Sequence, residues 1–158
     1  MRSAAAALAG LLLASSLTGC ASPTEKYCST LKDDKAKLGQ LANSSDKPQA
    51  QVLHDSLALF EDLRDAAPKD VAGDWGDFVF AWRSVVDALD EAGVDPGSFD
   101  PAHPPAGVST AQVNAIEQAA EELRSDKVTA AATRIEDHAQ TICKVDLGGS
   151  GLGVAGGS

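Results

Sequence analysis

Six side chains stand out for their chemistry: Cys20, Cys28 and Cys143, and His54, His103 and His138, the only cysteines and histidines in 158 residues. A metal centre in a helical chain wants Glu-x-x-His pairs, or histidines four apart on one face. Neither spacing occurs. His138 follows Glu136 and Asp137, and His54 precedes Asp55, so both read as surface or partly buried histidines; His103 sits among prolines, as a contact residue rather than a base. Haem is disfavoured, because there is no Cys-x-x-Cys-His and no methionine after Met1. A thiol-redox site would need Cys-x-x-Cys, which is absent. No serine lies in Gly-x-Ser-x-Gly, and Ser109 and Ser125 read as helix caps. Gly151-Leu152-Gly153-Val154-Ala155-Gly156 spells a dinucleotide fingerprint, but such a site needs a strand before it and a helix after it, and only two residues follow here. The expectation is a protein with no catalytic residues, no metal and no cofactor.

The strongest local signal lies near the start. Residues 4–17 form a 14-residue apolar run behind Arg2, short for a membrane span and suited to the apolar part of a signal peptide. The run ends in Leu17-Thr18-Gly19-Cys20, which resembles the lipobox of bacterial lipoproteins. That resemblance implies removal of residues 1–19 and transfer of a diacylglyceryl group to Cys20, which becomes the first residue of the mature chain. One acyl chain holds a protein marginally, so a diacyl group makes a durable anchor, with the membrane as partner through lipid. An ordinary secretory signal cut elsewhere, leaving Cys20 free, is the competing reading. With Cys20 lipidated, Cys28 and Cys143 remain, and outside the reducing cytosol such a pair reads as a disulfide rather than two buried thiols.

The formal charge is −10, and without Arg2 the chain holds 12 basic against 23 acidic residues, a charge of −11. Lysine and arginine do not cluster, so nucleic acid and a polybasic contact with anionic lipid are both disfavoured. Asn43-Ser44-Ser45 matches a glycosylation acceptor but, beside a bacterial lipobox, reads as a polar turn.

The elements that carry these residues are all helical in period. Residues 20–26 form a short tether, with Pro23 suited to the first turn of a helix starting near Thr24. Tyr27, Cys28, Leu31, Leu38 and Leu41 share one face, and Lys32, Asp33, Asp34 and Lys37 fall mostly on the other. After the turn at 43–46, Leu53, Leu57, Phe60 and Leu63 mark a second helix that Pro68 ends. The third, over 70–92, carries Trp75, Phe78, Phe80 and Trp82; Val71, Trp75, Phe78, Trp82, Val85 and Leu89 form a stripe that Val79, Phe80 and Val86 broaden, placing this helix centrally. Gly93 supplies a left-handed stop. Residues 94–108 hold four prolines and are long for a connection between helices. Ser109 with Gln112 is a capping box opening a fourth helix that buries Val113, Ile116, Ala120 and Leu123. From Ser125, Val128, Ala132, Ile135, Ala139 and Ile142 carry the apolar face to Cys143, as one kinked helix or two.

These elements predict an all-α domain over 27–145, an up-and-down bundle of four to five helices closed by the Cys28 to Cys143 disulfide, followed by a disordered glycine-rich tail over 146–158. If Cys28 and Cys143 meet, the first and last helices share a pole, which requires an even number of passes. The turn at 43–48 and the 94–108 loop then lie at the opposite pole.

Together, the lipobox, Tyr27-Cys28, the Ala-Pro ahead of Trp75, and the stretch from Ile135 to Cys143 look like small lipoproteins of high-GC Gram-positive bacteria. The resemblance implies a lipid-anchored helical domain on the outer face of the cytoplasmic membrane and carries no catalytic residue across. The functional expectation is a non-enzymatic envelope lipoprotein that binds a protein partner or ligand, with Phe99 and His103 in the presenting loop. The alternative is a small-solute or metal-ion binder with a pocket at Trp75, Phe78, Trp82 and His138. Phe80, off the main stripe, is the residue whose exposure would point to an interface.

Overall fold

The computed structural model describes residues 21–148; the expected signal peptide, Cys20 and the tail from 149 lie outside the described residues. Within them the chain forms five α-helices and one π turn: α1 Pro23–Ala42, α2 Gln49–Ala66, α3 Lys69–Ala92, α4 Thr110–Leu123, α5 Asp126–His138, and the π turn Ala139–Cys143. Among the described residues there is no strand.

Each boundary has a local cause. Ser22 caps α1 through a reciprocal box with Glu25, while Pro23 occupies the first turn, where its missing N–H costs nothing. The carboxyl of Glu25 is held below its ordinary range by the Ser22 backbone N–H and then the Ser22 hydroxyl. Pro68 ends α2 and begins α3, because proline cannot take the next intrahelical hydrogen bond but suits the residue ahead of a new helix. Gly93 closes α3 at φ 64°, a conformation in which a Cβ would strain the chain. Ser109 and Gln112 form the expected capping box on α4.

The helices pack in sequence order, α1 on α2, α2 on α3, and α3 on both α4 and α5, and the π turn closes back on α1. α4 and α5 lie successively along α3 in the opposite direction. Gln112 at the start of α4 donates to the Glu91 carbonyl at the end of α3 (2.9 Å). Lys127 then pairs with Asp77, and Arg134 with Asp74, down to the start of α3. Residues 110–143 are therefore two helices and a π turn in one pass, broken at Arg124 and Ser125, and four passes complete the bundle.

Cys28 and Cys143 are joined, with Cα atoms 5.0 Å apart. The 94–108 loop lies at the other pole, where Gly97 approaches Gln49, the first residue after the turn at 43–48. The bundle closed by a disulfide is thus as expected from helical period and cysteine placement.

Several details differ; Ile142, expected on the apolar face, is 53% exposed. Asp34, assigned to the polar side of α1, is 2% exposed. With Tyr27, Leu31 and Leu38 it falls in an i, i+4, i+7, i+11 register, and only Lys37 (2.7 Å) meets its charge, on one oxygen. On α3 the buried arc passes through Ala81 and Val86, leaving Trp82 and Val85 partly exposed, because α2 and α4–α5 cover this helix from two sides. On α4, Ala119 is buried and Ala120 only partly. Finally, the core runs past the expected boundary at 145: Lys144 adopts φ 56°, turning the chain so that Val145 and Leu147 are buried.

Candidate functional site

The aromatic side chains of the expected pocket form closed core. Trp75 and Phe78 are fully buried, with ring centroids 5.9 Å apart at nearly right angles. Phe60 stacks edge-on against Phe78 at 5.2 Å and meets Trp82 at 5.3 Å. The Trp75 Nε1–H donates to the Tyr27 hydroxyl (2.9 Å), and burial pushes the Tyr27 phenol above its ordinary range. The Tyr27 ring meets the His138 ring edge-on at 5.6 Å. His138 is 10% exposed and neither ring nitrogen has a hydrogen-bond partner; Asp70 lies 4.0 Å away. Trp75, Phe78, Trp82 and His138 line none of the clefts described below.

The histidines do not converge. His54 pairs with Asp90 (3.1 Å), His103 with Asp100 (2.9 Å), and His138 lies in the opposite half of the bundle. Among the described residues no group of three or more His, Cys, Asp or Glu side chains is placed to hold a metal ion. Phe80 points outward, 67% exposed, while Phe60 and Val79 are buried, so it forms no patch with them.

The remaining predicted residues lie at the two poles. At the disulfide pole the chain enters at Ser22, and Ile142, 53% exposed, sits with Thr24 and Lys32 along an open cleft of about 350 Å³. At the other pole the 94–108 loop is organised by two aspartates. Asp95 accepts from the Gly97 N–H (2.9 Å), and Asp100 from the Ala102 N–H (2.9 Å). The His103 ring, then that N–H, holds the Asp100 carboxyl below the ordinary carboxylate range. His103 itself is 86% exposed. Phe99 is half-buried instead: it turns onto α4 and, with Pro101, Ile116 and Ala120, walls a cleft of about 370 Å³ rimmed by Glu117, Glu121 and Arg124.

Phe99 and His103, four residues apart in the same loop, are thus separated in role, one packed and one presented. Ile116 and Ala120 were legible only as core positions of α4. What makes them a cleft wall is the return of the loop across that helix, a long-range event with no local signal. A third cleft, of about 410 Å³, opens between the end of α1 and α2 beside Lys37, Leu41, Lys47 and Leu59. Among the described residues no helix is long and apolar enough to cross a membrane.

No protein-family model matches this chain, and neither a curated protein nor a solved structure does so.

Proposed function

We propose that this protein is a lipid-anchored, non-enzymatic lipoprotein of the cell envelope, held to the outer face of the cytoplasmic membrane through Cys20 and presenting its loop-bearing pole to a protein partner. The observation that carries the reading is the separation of the two ends. The chain enters beside the disulfide, and the 94–108 loop sits beyond the far end of a bundle about 30 Å long, the length of a 20-residue helix. A tether at one end leaves the other facing outward. The lipobox-like Leu17-Thr18-Gly19-Cys20 supports the anchoring half of the reading. The solute-binding alternative has less behind it, because Trp75 and Phe78 present no open face.

Two measurements on the full chain made in a bacterial host test the proposal. Radiolabelled palmitate is incorporated by the native chain, and Cys20→Ala loses both the label and retention in the membrane fraction. Chemical cross-linking in the envelope gives a discrete adduct that disappears when residues 99–105 are removed. Gln112 already holds the end of α3 to the start of α4, so the shortened loop closes without unfolding the bundle, and far-UV circular dichroism checks this. A Cys20→Ala chain that stays membrane-bound sinks the anchor, and an adduct that persists after the deletion sinks the presented pole.

A further inference from the structure

We infer that the cleft between the 94–108 loop and α4 takes a basic segment of a partner protein, in which lysine or arginine flanks an apolar side chain. The inference rests on the partner-binding reading above and names the chemistry of that partner. Phe99, Pro101, Ile116 and Ala120 give the cleft an apolar floor and wall, and at about 370 Å³ it falls in the lower part of the roughly 300–1,000 Å³ range of small binding sites. An apolar side chain entering it is removed from water, which favours occupants that carry one.

The rim selects the charge of the occupant. Glu117 and Glu121 are four residues apart on α4 and therefore project on the same side, along the cleft edge. Among the described residues neither makes an ion pair, whereas Asp74 and Asp77, on the side of α3 that faces α5, are answered by Arg134 and Lys127. The surroundings reinforce this. Between Arg83 and Arg124 the chain contains eight aspartates and glutamates and no lysine or arginine, and this stretch builds the end of α3, the loop and α4. Arg124 is the one cation on the rim. The field over the cleft therefore attracts basic segments and repels acidic ones, nucleic acid and anionic lipid. Charge alone would gather any cation; the apolar floor distinguishes a segment with an apolar residue between its charges.

The test uses the exported protein with its disulfide intact and an N-acetylated, C-amidated peptide, Lys-Lys-Leu-Trp-Lys-Lys, followed by backbone amide NMR shifts and calorimetry at low salt. Shifts should concentrate at Phe99, Ile116 and Ala120. Joint replacement Glu117→Gln and Glu121→Gln, both exposed and unpaired, should weaken binding about tenfold with an unchanged circular dichroism spectrum. Lys-Lys-Gly-Ser-Lys-Lys should bind much more weakly, and Glu-Glu-Leu-Trp-Glu-Glu not at all. Equal binding of the Gly-Ser peptide, shifts spread over the whole acidic surface, or an unchanged affinity in the double variant would each overturn the inference. If the lysine peptide does not bind while the envelope adduct still depends on residues 99–105, this inference fails and the partner-binding reading stands. If the peptide binds at the cleft but the adduct survives the deletion, the cleft's preference for a basic segment stands while the loop-bearing pole as the site of the envelope partner falls.

Discussion

Tyr27 ties three parts of the core together, accepting from Trp75 and lying against His138 while its own helix carries the neighbouring Cys28. Burial raises its folded pKa, so the unfolded phenol ionises near pH 10 while the folded one keeps its proton to higher pH. In that interval the unfolded state binds fewer protons, and stability falls as pH rises; below pH 10 the contribution is fully present. Tyr27→Phe cannot lose stability this way, but leaves the Trp75 N–H buried without an acceptor, a cost of about 1–3 kcal/mol at neutral pH. The native chain should therefore be the more stable at pH 7, with the gap narrowing above pH 10, measured as urea midpoints from pH 7 to 11.5. A gap that stays constant across that range would show that the phenol is not held neutral by burial. Asp34 shows the converse limit of reading single residues: its charge put it with the polar side of α1, while its register with Leu31 and Leu38 takes it into the core beside Lys37.

At the level of elements, the break between α4 and α5 turns on Ser125. Its side chain accepts from the Val128 N–H (3.3 Å) and satisfies one of the first-turn donors of α5. The capping signal was readable; whether the helix bent or stopped was not. Apolar residues continue at helical spacing through the junction, and both segments pack on the same neighbour, α3. Arg124, at φ −93° and ψ 3°, leaves helical geometry and lets α5 restart under its own cap. Ser125→Ala should lower stability by about 1 kcal/mol and speed amide exchange in the first turn of α5, with α2 unaffected. Unaltered exchange there would mean that packing on α3, and not the cap, restarts the helix.

For the whole molecule, the disulfide spans 115 residues and joins α1, near its start, to the π turn. On the chain-entropy model a crosslink over that distance stabilises by about 4–5 kcal/mol, less where the unfolded chain keeps structure. Cys28→Ser with Cys143→Ser should lose up to that amount in urea unfolding yet remain helical, because the core of α2, α3 and α5 does not pass through the bond. Intact mass measurement of the unreduced native chain should read two hydrogens below the reduced mass; an equal mass would remove the crosslink from the account.

The all-helical class, the helix limits at Pro68, Gly93 and Ser109, and the pairing of Cys28 with Cys143 were all readable in the sequence. They depend on caps, breakers and residue counts, which act over a few positions or through simple bookkeeping. The even number of passes followed once that pairing was assumed, since two termini joined at one pole leave little freedom in an up-and-down bundle. Tertiary structure alone decided which α3 aromatics close the core and which face water. It also decided that Val145 and Leu147 return to that core, and that Phe99 folds onto α4 while His103 stays exposed. The physical reason is common to all of these. A helical period defines an arc of apolar positions, but the part of that arc that is covered depends on neighbours placed by contacts tens of residues away.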